Sequence, residues 1–204
     1  MPKQVDHRQR RAQIAEAVCA LIADRGLEAV SLRDVATRAG VSMGRVQHYF
    51  HTKDDMLRFA LEYVGEHDAA GVHEQLAALA DPGPREVARA VLGGLLAASP
   101  EGEARQRVGV AFQARALVEP GLARFLLQGY AGIQGVLEDL LRAHGRTGAA
   151  RDAAVLMALA EGLRLQSLLG HLTPERARGI LDGEIDRVLP GGDAGQDAAS
   201  SPRR

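Results

Sequence analysis

The chain has 204 residues, enough for one sizeable core or a small domain joined to a larger one, and its composition is 46% hydrophobic and 25% charged. One cysteine, Cys19, excludes an intramolecular disulfide and a multi-cysteine zinc site, and no apolar run approaches the roughly 18 residues a membrane helix needs. The net charge of -1 excludes a uniformly basic coat, yet residues 1–53 hold nine Lys/Arg against five Asp/Glu while the rest holds sixteen against twenty-one, a basic module on an acidic body.

Aromatic residues are only 3% and Trp is absent, so Leu, Val, Ile and Ala must build the core. Ala, Leu, Arg and Glu lead the helix scale, whereas strands favour β-branched and aromatic residues, and an all-α protein is predicted. The polar N-terminus, MPKQVDHRQRR, has no apolar signal core, which points to a cytoplasmic protein without membrane contact.

From Arg10 to Arg25, Ile14, Val18, Leu21 and Ile22 form one helical stripe, and Gly26 stands where that helix stops. Ser31 is a good N-cap with Asp34 three residues on, and Leu32, Val35, Ala36 and Ala39 make a second short stripe ending at Gly40. Val41 turns inward, Ser42 caps again, and Val46 and Phe50 are the i, i+4 pair of a third short helix. Thr52 caps a fourth, with Asp55 three residues later and Met56, Leu57, Ala60, Leu61 and Val64 as its apolar face.

Beyond residue 80, Pro and Gly punctuate helical stretches of bundle length at Asp81 to Pro84, Ser99-Pro100, Pro120-Gly121, Gly145 to Gly148 and Thr173-Pro174. About nine helices are expected in all. The last fifteen residues, PGGDAGQDAASSPRR, lack large apolar groups and are expected to be disordered.

The second and third helices, with the tight turn at Gly40, have the pattern of a helix-turn-helix. The third has a thin apolar edge, and its outward groups suit a DNA major groove: Arg45 for guanine or phosphate, Gln47 for adenine, Met43 for a thymine methyl, His48 and Tyr49 for phosphate or sugar. Gly44 lets the backbone approach the strand. Ser31 and Arg33, Ser42, and Lys53 stand at helix starts, where free N–H groups and the dipole attract phosphate. The alternative is a solvated helical hairpin whose polar face meets only water.

Residues 10–60 also resemble the DNA-binding domain of TetR-family transcriptional regulators. The resemblance runs through Arg25-Gly26, Val30 to Ala36, Ala39-Gly40-Val41-Ser42, Gly44, Tyr49-Phe50, Thr52-Lys53 and Leu57, with Gln47-His48-Tyr49-Phe50 where the family usually has Tyr-Tyr-His-Phe. Ala160 to Leu169 followed by Leu172 to Glu175 is similar to the last helices of the subgroup containing choline-responsive repressors. The resemblance implies a homodimeric repressor, released from a pseudo-palindromic operator by a small molecule. Its parts would be a basic flexible arm over 1–9, a helix-turn-helix domain over 10–52, a ligand-binding and dimerisation domain over 53–189 entered by the fourth helix, and the tail over 190–204.

From Ala153 to Leu169 apolar residues surround the helix, more than one monomer face needs, and Leu163, Gln166, Ile180 and Ile185 are candidates for a dimer interface. For an effector pocket the candidates are Phe112, Arg115, Tyr130, Gln134, Met157 and Glu161, against core packing for the aromatics and simple pairing for Glu161 with Arg164. With so few aromatics a cage for a quaternary ammonium is hard to assemble, so a medium-sized apolar effector is expected. Gly129, Gly132 and Gly135, mid-helix, are read as close packing.

Two rivals remain. One is a helical dimer that binds a small molecule or protein without reading DNA. The other is an enzyme, for which no Glu-x-x-His pair, no recognisable Ser, His and Asp arrangement and no stacked His67 and His73 speak; no catalytic residue, metal ligand or cofactor is expected.

Overall fold

A computed structural model describes residues 2–97 and 99–190, with the backbone alone at residues 2–7. Among them are nine helices: α1 (Pro2–Arg25), α2 (Leu32–Arg38), α3 (Met43–Tyr49), α4 (Lys53–Ala77), α5 (Pro84–Gly93), α6 (Pro100–Ala116), α7 (Pro120–Ala143), α8 (Ala149–Leu168) and α9 (Pro174–Val188). The all-α expectation holds.

Helix starts follow local chemistry. The hydroxyls of Ser31, Ser42, Thr52, Ser99 and Thr173 each accept from the backbone N–H three residues on, and Pro84, Pro100, Pro120 and Pro174 open α5, α6, α7 and α9, where a missing N–H costs nothing. α1 begins at Pro2, so the stretch expected to be a flexible arm continues the first helix. The expected tail, apart from Pro190, lies outside the described residues.

Two apolar clusters organise the chain. The first gathers the stripes of α1 to α3, the first half of α4 up to Val64, and Val108 and Phe112 of α6. The second joins α5, α7, α8 and α9 around Leu92, Leu137, Leu141, Leu156, Leu181 and Ile185. A boundary drawn at Lys53 therefore runs through one cluster, because the apolar face of α4 has no other place to be buried.

Charges tie α9 to α5. Arg89 reaches Asp186 at 2.6 Å and Asp182 at 3.4 Å, and Arg85 Nε donates to the Leu189 carbonyl at 2.5 Å. Gly129, Gly132 and Gly135 are mid-α7 as expected, but no side chain or neighbouring backbone lies within 4 Å of where their Cβ atoms would sit. Close packing within the chain is not their reason. No described helix is long and apolar enough to cross a membrane.

Candidate nucleic-acid interface and effector cluster

The turn between α2 and α3 is fixed by backbone geometry. Gly40 has φ +64°, its N–H donates to the Thr37 carbonyl at 3.2 Å, and the Val41 N–H donates to the Ala36 carbonyl at 3.0 Å. These are the two bonds of a Schellman ending, which needs a left-handed residue where Gly40 stands. The Gln13 amide of α1 then donates to the Ala39 carbonyl at 2.8 Å, satisfying another carbonyl at the end of α2.

α3 has seven residues, too few to persist alone, and tertiary anchors hold it. Val46 is fully buried and Phe50, at its C-cap, almost so, each contributing about 1.5–3 kcal/mol. Phe50 packs on Phe59 of α4 with ring centroids 5.4 Å apart, and the Arg11 guanidinium lies 4.0 Å from the Phe59 ring centre and 5.2 Å from that of Phe50. A cation from α1 thus seats the end of α3. Sequence reasoning passed over Arg11, whose value rests on two rings distant in sequence.

The rest of α3 faces outward. Met43, Gly44, Arg45, Gln47 and His48 are exposed, Tyr49 is half-buried with its ring edge-on to His48, and helical spacing puts Gly44 and His48 opposite Val46. Open space surrounds Gly44. Around this face, Ser31 and Arg33 are exposed at the start of α2, Ser42 at the start of α3, and Lys53 opens α4 half-buried with its ammonium 3.4 Å from the Glu28 carbonyl. Ser31 gives its proton to Asp34 at 2.5 Å, so of its two capping roles one already occupies the hydrogen a phosphate would want. These residues are exposed or half-buried along α3 and at the starts of α2 and α4.

The expected pocket residues divide. Tyr130 and Glu161 meet in a polar cluster with Gln113 of α6 and Arg164 of α8. The Gln113 amide donates to Tyr130 Oη and, at 3.0 Å, to Glu161 Oε2; Arg164 donates to Gln113 Oε1 at 2.6 Å and pairs with Glu161. Arg164 is only 6% exposed, and its Nε and Glu161 Oε1 are buried and have no hydrogen-bond partner among the described residues. Gln134 is half-buried one helical turn from Tyr130 on α7.

The other candidates are elsewhere. Phe112 is 2% exposed inside the first apolar cluster, because α6 turns that side toward α1 and α4. Arg115 bridges to Glu119 at 2.7 Å and to Asp54 of α4 at 3.0 Å. Met157 is core of the second cluster. Leu163 and Ile185, expected at a dimer interface, are 4% and 0% exposed and are buried in the chain's own second cluster, whereas Gln166 and Ile180 are exposed. A helix apolar all round gives no sign of which side its own chain will cover.

Comparison with known proteins settles the class. The family model "Bacterial regulatory proteins, tetR family" matches residues 14–59, and the model "BetI-type transcriptional repressor, C-terminal" matches residues 84–190. The chain belongs to the TetR family. It is 33% identical over 184 residues to the HTH-type transcriptional regulator PksA of Bacillus subtilis, covering 87% of this chain and 88% of that one. With the HTH-type transcriptional regulator BetI of Yersinia pestis it shares 31% identity over 192 residues, 93% of this chain and 97% of that one. A transcriptional regulator from Rhodococcus sp. Rha1 superposes with a TM-score of 0.79 at 32% identity, covering 88% of this chain and 95% of that structure. These relatives are regulators rather than enzymes, and this TetR-family chain is a ligand-responsive, DNA-binding transcriptional regulator of the same kind.

Proposed function

We propose that the chain is a repressor that binds as a homodimer, sets its two α3 helices into successive major grooves of a pseudo-palindromic operator, and is released by a small molecule held in its C-terminal half. The observation that carries this reading is the double duty of α6. Gln113 belongs to the half-buried polar cluster, while its neighbours Phe112 and Arg115 belong to the first apolar cluster and to a bridge onto α4. A ligand that redraws the cluster moves a helix in contact with the DNA-reading half, and it shifts the population by its differential affinity for the two arrangements.

Within the reading half, Arg45 and Gln47 read base edges, Met43 meets a thymine methyl, and Ser31, Arg33, Ser42, His48, Tyr49 and Lys53 hold phosphate and sugar, with Gly44 permitting close approach. Two such helices would stand about 34 to 36 Å apart on the operator. The second subunit docks on the outer side of α8 and α9. Val155 and Leu165 of α8 and Leu169 at its C-cap are 43%, 46% and 75% exposed, Gln166 lies beside them, and Ile180 of α9 is 42% exposed. Gly162, Gly179 and Gly183, with open space above them, let the helix pairs approach closely.

Selection of bound fragments from random DNA, by mobility shift at several salt concentrations, tests the reading. An enriched palindrome whose binding weakens steeply with salt supports it. A folded dimer that enriches nothing returns the chain to the rival of a dimer that does not read DNA.

A further inference from the structure

One turn of α1, from Arg10 to Gln13, holds the ends of both short helices. The Gln13 amide nitrogen donates to the carbonyl of Ala39, the C-cap of α2, at 2.8 Å, and Gln13 Oε1 accepts from Arg10 Nη1 at 2.9 Å. With both ends of the amide engaged, its orientation toward α2 is fixed. The Arg11 guanidinium goes to the other helix: it lies 4.0 Å from the ring centre of Phe59 on α4 and 5.2 Å from that of Phe50, the C-cap of α3.

Arg11 is half-buried, and its buried Nε has no hydrogen-bond partner among the described residues. A guanidinium stripped of water gains more from an aromatic face than an exposed one does. That attraction is directional where the rest of the support for α3 is not. Val46 sets the depth of α3 by burial, but burial has no preferred direction, and a seven-residue helix anchored at its middle is free to pivot. A cation seated on one ring at the end of α3 and another on α4 stops that pivot.

We infer that Arg11 is a positioning residue for DNA binding: its charge, rather than the bulk of its stem, fixes the angle of α3, while Gln13, oriented by Arg10, fixes the end of α2. The clamp itself needs no DNA, and its consequence for DNA rests on the proposal that α3 enters the major groove. Arg11 acts through Phe50 and Phe59 without touching phosphate. Its loss therefore lowers affinity for the operator and leaves the salt slope as it was, because no phosphate contact is removed. Non-specific binding, which asks less of the angle of α3, falls by less.

The test compares Arg11→Met, which keeps an apolar stem without the charge, and Arg11→Lys, which keeps the charge, with the wild type in the full chain. Amide hydrogen exchange reads the clamp without DNA. The Phe50 N–H, bonded to the Val46 carbonyl at 2.9 Å, is expected to exchange about threefold faster or more in Arg11→Met and to regain most of its protection in Arg11→Lys, while amides of α8 keep their rates. Operator titration reads the consequence: a loss of about threefold to thirtyfold in Arg11→Met, mostly recovered in Arg11→Lys, with the salt slope unchanged. Where Arg11→Met does not fold, Phe59→Leu removes the nearer ring and carries the same expectations. Unchanged Phe50 exchange, equal losses in the Met and Lys variants, or a salt slope lowered by about one overturns the inference. Arg45→Ala, run alongside, keeps the two readings apart. If it weakens operator binding and Arg11→Met does not, the positioning role is overturned; if neither does, the groove reading of α3 fails and the clamp stands or falls by the exchange result.

Discussion

Arg115 of α6 holds Asp54 in the first turn of α4 at 3.0 Å, linking the helix that carries Gln113 to the one that packs in the first apolar cluster with α1 to α3. Asp54 is two-thirds exposed, so the pair is screened and its direct contribution to stability is below about 1 kcal/mol. Its role is in register. A double-mutant cycle with Arg115→Ala and Asp54→Ala, read by chemical denaturation and by operator titration, is expected to give a stability coupling of about 0.2–1 kcal/mol and a change in operator affinity of a few fold. Coupling absent from both measurements would remove this link between the halves.

On α3, base-reading and backbone-holding roles separate by their sequence dependence. Arg45→Ala and Gln47→Ala are expected to cost about 1–3 kcal/mol on the selected operator and to relax preference at the base pair each one reads. Tyr49→Ala and Lys53→Ala should weaken all sequences alike, the lysine change also lowering the salt slope by about one. An unchanged salt slope for Lys53→Ala would mean that its ammonium stays with the Glu28 carbonyl when DNA is bound.

Gly40 has open space around it, yet its φ of +64° is a conformation that a side chain resists. Gly40→Ala is expected to destabilise by about 1–2 kcal/mol, a fall in Tm of about 2–8 °C, and to reduce operator affinity because the angle between α2 and α3 is set there. Gly44→Ala, at a site without that constraint, should leave the melt nearly unchanged and reduce DNA binding through its bulk.

Leu165 near the end of α8 and Leu169 at its C-cap are both exposed to solvent. Replacing both with Asp is expected to turn a dimer into a folded monomer in analytical ultracentrifugation and to weaken operator binding by more than tenfold. A variant that still sediments as a dimer would place the interface on another face.

Cys19 is buried, and its thiol is pushed from 9.0 up to about 12, first by burial and then by nearby Glu16. Because the unfolded thiol ionises at the lower pH, the protonated native thiol contributes its full stability below about pH 9 and loses it as pH rises toward 12. Wild type should therefore lose stability faster than Cys19→Ala over that range in denaturant titrations. At pH 8 the native thiol should react with a disulfide reagent far more slowly than the unfolded chain, since almost no thiolate is present.

α3 and the turn before it were legible in the letters because what defines them is local. Ser31, Ser42 and Thr52 cap helices three residues away, Gly40 terminates one, and Val46 with Phe50 marks a single narrow edge. Each signal acts within a turn or two of chain, so residue spacing carries it. The same short-range logic gave the all-α class and the helix boundaries beyond residue 80, where prolines open four of the five helices.

Tertiary structure alone decided which way the later helices turn. α6 has apolar and polar residues on neighbouring positions, so only its seat against α1 and α4 sends Phe112 into the first core while Gln113 meets Tyr130, Glu161 and Arg164. α8 is apolar on all sides, so burial of Leu163 and exposure of Leu165 and Leu169 follow from where α7 and α9 lie. Periodicity reports that a helix has something to bury; the direction is set by partners far away in the chain, whose approach no local spacing encodes.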